Sequence, residues 1–271
     1  SVRETISDGS MPNTKKIEIS VEEMPTGEIS AGAGIGTDGG SFAFNVTENN
    51  WLGRGVSLSA AAEFSQESLK GSLSFTDPDY NFSGTELTYY LQNTQNDKSE
   101  SGYENDIIGG GISLKYEKFK DIYLSPGISL LYDDLKTDSS ASSLLQQQAG
   151  TSTDLLFDYS LSTDKRDRRF MPTAGYYSSF FQEVPIYSDQ PNIKNGFSTS
   201  HYKELNDDLI GALKFRATAV NAIGDDDVKL SQRLNVSTRQ LRGFESGKVG
   251  PKDGDDFIGG NYITSLNLEA N

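Results

Sequence analysis

Apolar and polar residues alternate with a period of two along most of this chain. From Val56 to Phe64, one face carries Val56, Leu58, Ala60, Ala62 and Phe64, and the other carries Ser57, Ser59, Ala61 and Glu63. That alternation is the mark of a half-buried strand. The split recurs as Leu69, Gly71, Leu73 and Phe75 against Lys70, Ser72, Ser74 and Thr76. It recurs again as Leu155, Phe157, Tyr159 and Leu161 against Leu156, Asp158, Ser160 and Ser162. Further strands are predicted near Glu28–Ile35, Ser41–Thr47, Thr85–Gln92, Ile107–Glu117, Ile122–Asp133, Gly175–Glu183, Phe197–Glu204, Leu209–Asn221 and Asn261–Glu269. The total is about twelve strands of about ten residues each, longer than the five or six usual in globular proteins. Ser142–Ala149 is ambiguous between helix and strand.

Turn-forming clusters separate these runs: Thr37-Asp38-Gly39-Gly40, Asn49-Asn50, and Thr94 to Ser99. They suit antiparallel hairpins rather than helical crossovers. Two connections, Leu135–Ala149 and Gly224–Gly260, are long and polar. Short turns at one end and long loops at the other suit a transmembrane barrel, as do apolar faces ending in aromatics (Phe64, Phe75, Tyr116, Tyr132). A soluble β-sandwich is the alternative reading. Lys16–Glu23 also alternates but is charged, and Met24-Pro25-Thr26-Gly27 breaks it. This reads as the last strand of a preceding soluble module.

Composition narrows the chemistry. The 271 residues hold 24 Lys+Arg and 39 Asp+Glu, a net charge of −15, with one His and no Cys. Disulfides, thiolate metal sites and cysteine nucleophiles are excluded, as is a multi-histidine site within one chain. The acidic balance would repel a phosphate backbone, so nucleic acid is not an expected partner. No run of 18 apolar residues occurs, a test that is blind to β-barrels. The opening Ser1-Val2-Arg3 carries no initiator Met and no leader. This reads as a processed piece with something removed upstream.

Motifs of catalysis are weak. Gly34-Ile35-Gly36-Thr37-Asp38-Gly39 fits a dinucleotide fingerprint, but Ser41-Phe42-Ala43-Phe44 follows as a strand where a helix N-terminus is required. A glycine-rich hairpin is the simpler account. His201 has no GxSxG elbow to serve, and sits on a predicted strand as a lumen or rim position. Asp225-Asp226-Asp227 and Asp253–Asp256 could gather calcium but lack EF-hand spacing, so solvated loops suit them better. No cofactor and no metal is expected. Asp164-Lys165-Arg166-Asp167-Arg168-Arg169 reads as a turn held by internal ion pairs.

Four separated motifs, in order, resemble the BamA-type outer-membrane assembly barrels of the POTRA-plus-barrel superfamily, which also includes organellar sorting barrels. Glu22–Gly27 leading into Ala31–Gly36 resembles the exit from the last POTRA domain into the first barrel strand. Glu48-Asn49-Asn50-Trp51-Leu52-Gly53-Arg54-Gly55, with Thr76-Asp77-Pro78 and Tyr80 after it, is similar to the "DNWLGxG" turn. Asp164-x-Arg166-Asp167 with Pro172-Thr173-x-Gly175 resembles the "DxRD…PTxG" hairpin. Leu241-Arg242-Gly243-Phe244, followed by Gly250-Pro251 and Gly259-Gly260-Asn261, resembles the "VRGF" long loop.

The resemblance implies an all-β, antiparallel transmembrane barrel of about sixteen strands, of which this chain holds about twelve. It divides the chain into a POTRA remnant over 1–27 and a truncated barrel over 28–271, with the long loop at 224–260. The implied activity is non-enzymatic: receiving unfolded outer-membrane protein clients and folding them into the lipid of the bacterial outer membrane. Accessory assembly lipoproteins would bind through the missing POTRA domains. The implied gate is the first strand, where Gly32, Gly34 and Gly36 leave few side chains to strengthen pairing. The Arg242 tip is implied to dock on the inner wall with Phe244 buried beside it, on a carboxylate expected beyond Asn271. A TamA-type or two-partner-secretion barrel of the same superfamily is one alternative. A complete twelve-stranded porin or barrel enzyme, which would need a terminal aromatic strand, is another.

Overall fold

The computed structural model describes residues 2–270, apart from 23, 37–38, 66–67, 99–101, 140, 225–226, 238–239 and 245–246. Two short strands, β1 (Val2–Asp8) and β2 (Lys15–Val21), pair as an antiparallel hairpin. Then follow β3 (Gly27–Gly36), β4 (Gly39–Glu48), β5 (Ser57–Ser65), β6 (Ser68–Tyr80), β7 (Thr85–Lys98) and β8 (Tyr103–Phe119). After β9 (Ile122–Thr137) comes a short helix, α1 (Ser143–Gln147). It is followed by β10 (Gly150–Asp164), β11 (Gly175–Ser188), β12 (Asn192–Asn206) and β13 (Leu209–Ala222). The long loop carries a two-residue hairpin, β14 (Lys252–Asp253) and β15 (Asp256–Phe257), and β16 (Tyr262–Ala270) completes the chain. β3 to β13 and β16 form one twelve-stranded antiparallel sheet in sequence order. Among the described residues β3 and β16 each pair on one side, so the sheet is open.

Register shows why the alternation exists. Leu58 faces Phe75, Ala60 faces Leu73 and Phe64 faces Leu69 across β5 and β6, while Glu63 faces Lys70 on the other side of the sheet. The apolar set stays exposed: Phe64, Leu69, Leu73, Leu91, Ile108, Leu130, Phe157 and Leu266 all lie open on one face. A sandwich would cover that face with a second sheet; here one sheet carries the polar residues and the long loop on its inner face and the apolar residues outside. That inversion is the arrangement of a barrel wall facing lipid. On β8 the outer residues run from Ile108 to Tyr116. This is about the 9–11 residues a tilted strand needs to cross the hydrocarbon. Above them, Gln95, Asp106 and Asp134 make the same face polar.

Three expectations change. The cluster at Thr94 is not a turn: Thr94 to Lys98 continue β7, paired through Lys98 with Tyr103, while Ser99 lies outside the described residues. Cross-strand pairing with β8 overrides the turn-forming composition. The strands of the twelve-stranded sheet run from 9 to 17 residues rather than about ten. The connections are not cleanly sorted by length. The two longest, 138–149 and 223–261, do leave one end, called here the upper end, but so does the short 189–191, whereas the ten-residue 165–174 belongs to the lower end. Ser142–Ala149 resolves as α1, whose N-cap Ser142 accepts a bond from the Leu145 N–H.

Candidate functional site

The long loop defines the inner surface. It leaves β13 and returns to β16 at the upper end, yet its tip reaches far down the wall. Arg242 Nη2 donates to Glu269 Oε1 at 3.1 Å, and Asn267 Nδ2 donates to the Gln240 carbonyl at 3.1 Å. Glu269 is seven residues along β16 from Tyr262, roughly 23 Å of strand. Pairing puts Glu269 opposite Ala212, with Lys214 Nζ bonded to Glu269 Oε2 at 2.6 Å. The carboxylate expected beyond Asn271 is thus supplied within this chain. Alternation along β16, with Tyr262, Leu266 and Leu268 outside, is what turns Glu269 inward. Phe244 departs from expectation: it is 53% exposed rather than buried. Leu241 is also exposed, and Gly243 has a positive φ of 86°, the left-handed turn that glycine tolerates at little cost.

The loop's first turn is held more deeply. Val228, Lys229 and Leu230 are 1%, 4% and 2% exposed. Lys229 Nζ lies 3.1 Å from Asp133 Oδ2 and donates to Ser152 Oγ at 2.7 Å. Ser231 Oγ donates to the same Asp133 oxygen at 2.6 Å, and Asn105 Nδ2 donates to Asp133 Oδ1 at 3.3 Å. Leu230 packs with Ala141 and Leu145, and its N–H donates to Gln148 Oε1 at 2.7 Å. Asp256 accepts the Ser142 N–H at 2.9 Å, so this loop and the α1 connection are knit together. None of these contacts was expected from the sequence.

At the lower end, Arg166 grips Asp164 with two bonds, Nε to Oδ1 at 2.8 Å and Nη2 to Oδ2 at 2.7 Å, the bidentate fork that strengthens such pairs. Its guanidinium also lies 5.3 Å from the Tyr177 ring centroid. Lys165 pairs with Asp121 in the neighbouring turn. Asp167 accepts from the Thr173 hydroxyl at 2.7 Å and from the N–H groups of Thr173 and Ala174 at 3.0 and 3.1 Å. Pro172 precedes this knot, and Gly175 has a φ of 91°. The other motif turn closes the same way: Asn50 Oδ1 accepts the Gly55 N–H at 2.7 Å, and Asn49 Nδ2 donates to the Thr26 carbonyl at 3.2 Å.

The hydroxyl and backbone donors hold the Asp167 carboxyl down at about 2, from an ordinary 3.8. Because the folded value lies below the unfolded one, this carboxylate contributes stability above pH 3.8 that is lost as pH falls through about 2. Titrating the Asp167 carboxyl by NMR should give that low midpoint. Asp167→Asn should speed amide exchange at Thr173 and Ala174 and remove its acid dependence. An ordinary midpoint would show that the turn does not rely on the charge.

On β3, Gly32 and Gly34 lie on the inner face, opposite Ala43 and Ser41, and Gly36 pairs with Gly39. A Cβ added at Gly32 would meet nothing within 4 Å, and one at Gly34 only Ser41 Oγ at 3.4 Å. Packing does not demand Gly32 or Gly34. The fingerprint Gly34–Gly39 is a hairpin, with β4 where a nucleotide site needs a helix; Thr37 and Asp38 lie outside the described residues. His201 lies on the outer face, stacked on Tyr176 with ring centroids 5.3 Å apart. The lumenal position is therefore not the one it takes. Asp227 bonds Arg233, residues 225–226 are outside the described set, and no group of three or more His, Asp or Glu gathers for a metal among the described residues. Among them, too, no helix is long and apolar enough to cross a membrane.

An open antiparallel meander with an apolar outer face and a long loop descending its inner wall is the class of the outer-membrane barrel. Within that class the chain belongs to the Omp85 superfamily: residues 50–271 match the Omp85 superfamily domain. It is 27% identical over 257 residues to the outer membrane protein assembly factor BamA of Neorickettsia risticii, covering 91% of this chain and 34% of that protein. It is 26% identical over 267 residues to a SAM50-like protein of Schizosaccharomyces pombe, covering 93% of this chain and 55% of that one. Among solved structures, BamA from Haemophilus ducreyi lacking POTRA domains 1–3 matches with a TM-score of 0.84 at 23% identity, over 100% of this chain and 57% of that one. That likeness carries the fold. The chain therefore spans a third to just over half the length of these relatives.

Proposed function

We propose that this chain is the barrel portion of an outer-membrane protein assembly insertase. It would fold β-barrel precursors into the bacterial outer membrane without covalent chemistry or a cofactor. Residues 1–27 would be the end of a POTRA domain, through which accessory lipoproteins act in the full-length protein. The observation that carries the reading is the Omp85 superfamily match over residues 50–271, on a chain whose curated relatives include proteins named outer membrane protein assembly factors and whose first barrel strand, β3, is poor in side chains. A nascent strand in lipid has unsatisfied N–H and C=O groups, each costing several kcal/mol. An edge that accepts a strand by β-augmentation removes that cost one residue at a time.

The glycines of β3 serve this role by leaving the inner side of the strand bare, so that few cross-strand contacts resist exchange of its partner. The test is reconstitution of the full-length protein in phospholipid liposomes with a urea-unfolded barrel client. Folding is followed by protease protection and heat-dependent gel mobility. Faster folding than in protein-free liposomes is expected; equal rates would overturn the proposal.

A further inference from the structure

The motif tip and the loop's first turn are held by very different means. Arg242 is 76% exposed in its side chain, and its neighbour Phe244 lies open. An exposed ion pair gains little, because water screens the attraction and a long side chain must be ordered to make it. Lys229 and Asp133 are 4% and 3% exposed in their side chains. There, removing one partner strands an uncompensated charge among desolvated groups, which is far more costly than losing an exposed pair.

The surroundings of the buried pair are complete. Both Asp133 oxygens are used, by Lys229 and Ser231 on one and Asn105 on the other. Lys229 has a second partner in Ser152. Apolar neighbours on either side, Val228 and Leu230, are buried as well. Well-packed apolar residues at both 229 and 133 could hold the loop as strongly, but would not distinguish one register of the loop from the next. An ammonium that must meet Asp133 and Ser152 does.

We infer that Lys229, and not Arg242, is the positioning residue that fixes where the long loop sits in the lumen. It docks the loop on the upper wall of β9 and β10, and the Arg242 contact on β16 follows from that placement. The inference concerns the position of the loop. It rests on the proposed function only in assigning that position a use.

Hydrogen–deuterium exchange on the full-length protein, without any client, separates the two. Lys229→Met should speed exchange across 228–234 about 100-fold, and should also release the segment around 240–244. Arg242→Ala should release 240–244 and change 228–234 by less than about threefold. Pairing Lys229→Met with Asp133→Leu should recover at least part of the lost protection, because the stranded carboxylate is gone. Where Lys229→Met does not accumulate, the exchanged pair Lys229→Asp with Asp133→Lys is measured instead, and protection at 228–234 above that of Lys229→Asp alone is expected. Exchange in Lys229→Met within threefold of the parent, no difference between single and paired variants, or release of both segments by Arg242→Ala would each overturn the assignment. Because no client is present, loss of insertion activity leaves this result standing.

Discussion

A disulfide that fastens β3 to the strand facing it in the full-length barrel is expected to reduce client insertion to the rate of protein-free liposomes. The chain contains no cysteine, so the cysteine introduced on β3 would be the only thiol in this portion. The argument runs from the backbone. β3 is the first strand of the sheet, and among the described residues it pairs only with β4; its other side is where the full-length barrel would close. Gly32 and Gly34 add no side-chain contact on the inner face that would have to be broken as a client strand takes that edge. A covalent bond of fixed geometry removes the opening without altering the rest of the wall. Heat-dependent gel mobility should be retained in the locked form, and reduction should restore activity. Undiminished insertion with the bond verified would dismiss β3 as a gate.

The second large effect lies at the lower hairpin. Gly175→Val is expected to destabilise the barrel by about 2 to 6 kcal/mol, from strain at a positive φ together with overpacking. Gly175 has a φ of 91°, and a Cβ there would collide with the Lys165 carbonyl oxygen and approach Arg166 Cα at 2.9 Å. Both obstacles are backbone, held by the Lys165 N–H bond to the Tyr176 carbonyl at 2.8 Å, so neither can swing away. Gly32→Val is the control: its Cβ meets open space, and a β-branched residue suits a strand, so stability should hold or rise. Urea unfolding in detergent, followed by gel mobility, compares them. Equal midpoints for Gly175→Val and the parent would mean that the hairpin rearranges to accept a side chain.

All twelve strands of the sheet were legible because register obeys the period of two that the sequence displays. Their ends were not. Thr94–Lys98 has the composition of a turn, yet it lies above the apolar band, where the outer face is polar anyway and pairing with β8 decides the conformation. The motif residues at 164–175 could be read as an ion-paired turn, since Asp164, Arg166 and Asp167 lie too close in sequence to meet anything else first. Glu269 was also readable: it falls on the same alternate set as Ile263, Ser265 and Asn267, which points inward. What escaped was Lys229, because its partners Asp133 and Ser152 are 96 and 77 residues away. One local signal was available. Val228-Lys229-Leu230 places two apolar residues around a cation immediately after Asp227 in an otherwise polar loop.

The two attachments of the long loop also set a mechanical limit. Arg242 at the foot of β16 lies thirteen positions on from Lys229 on the β9–β10 wall, and a chain of that length cannot be drawn out beyond about 45 Å. The loop is a leash between the β9–β10 wall and β16. If β16 swings outward, tension in that leash falls first on the solvent-exposed guanidinium, whose contact yields at low cost, while the buried ammonium holds. Small displacements of β16 would unhook the tip reversibly and leave the loop docked on β9 and β10, so the tip returns to the same seat afterwards.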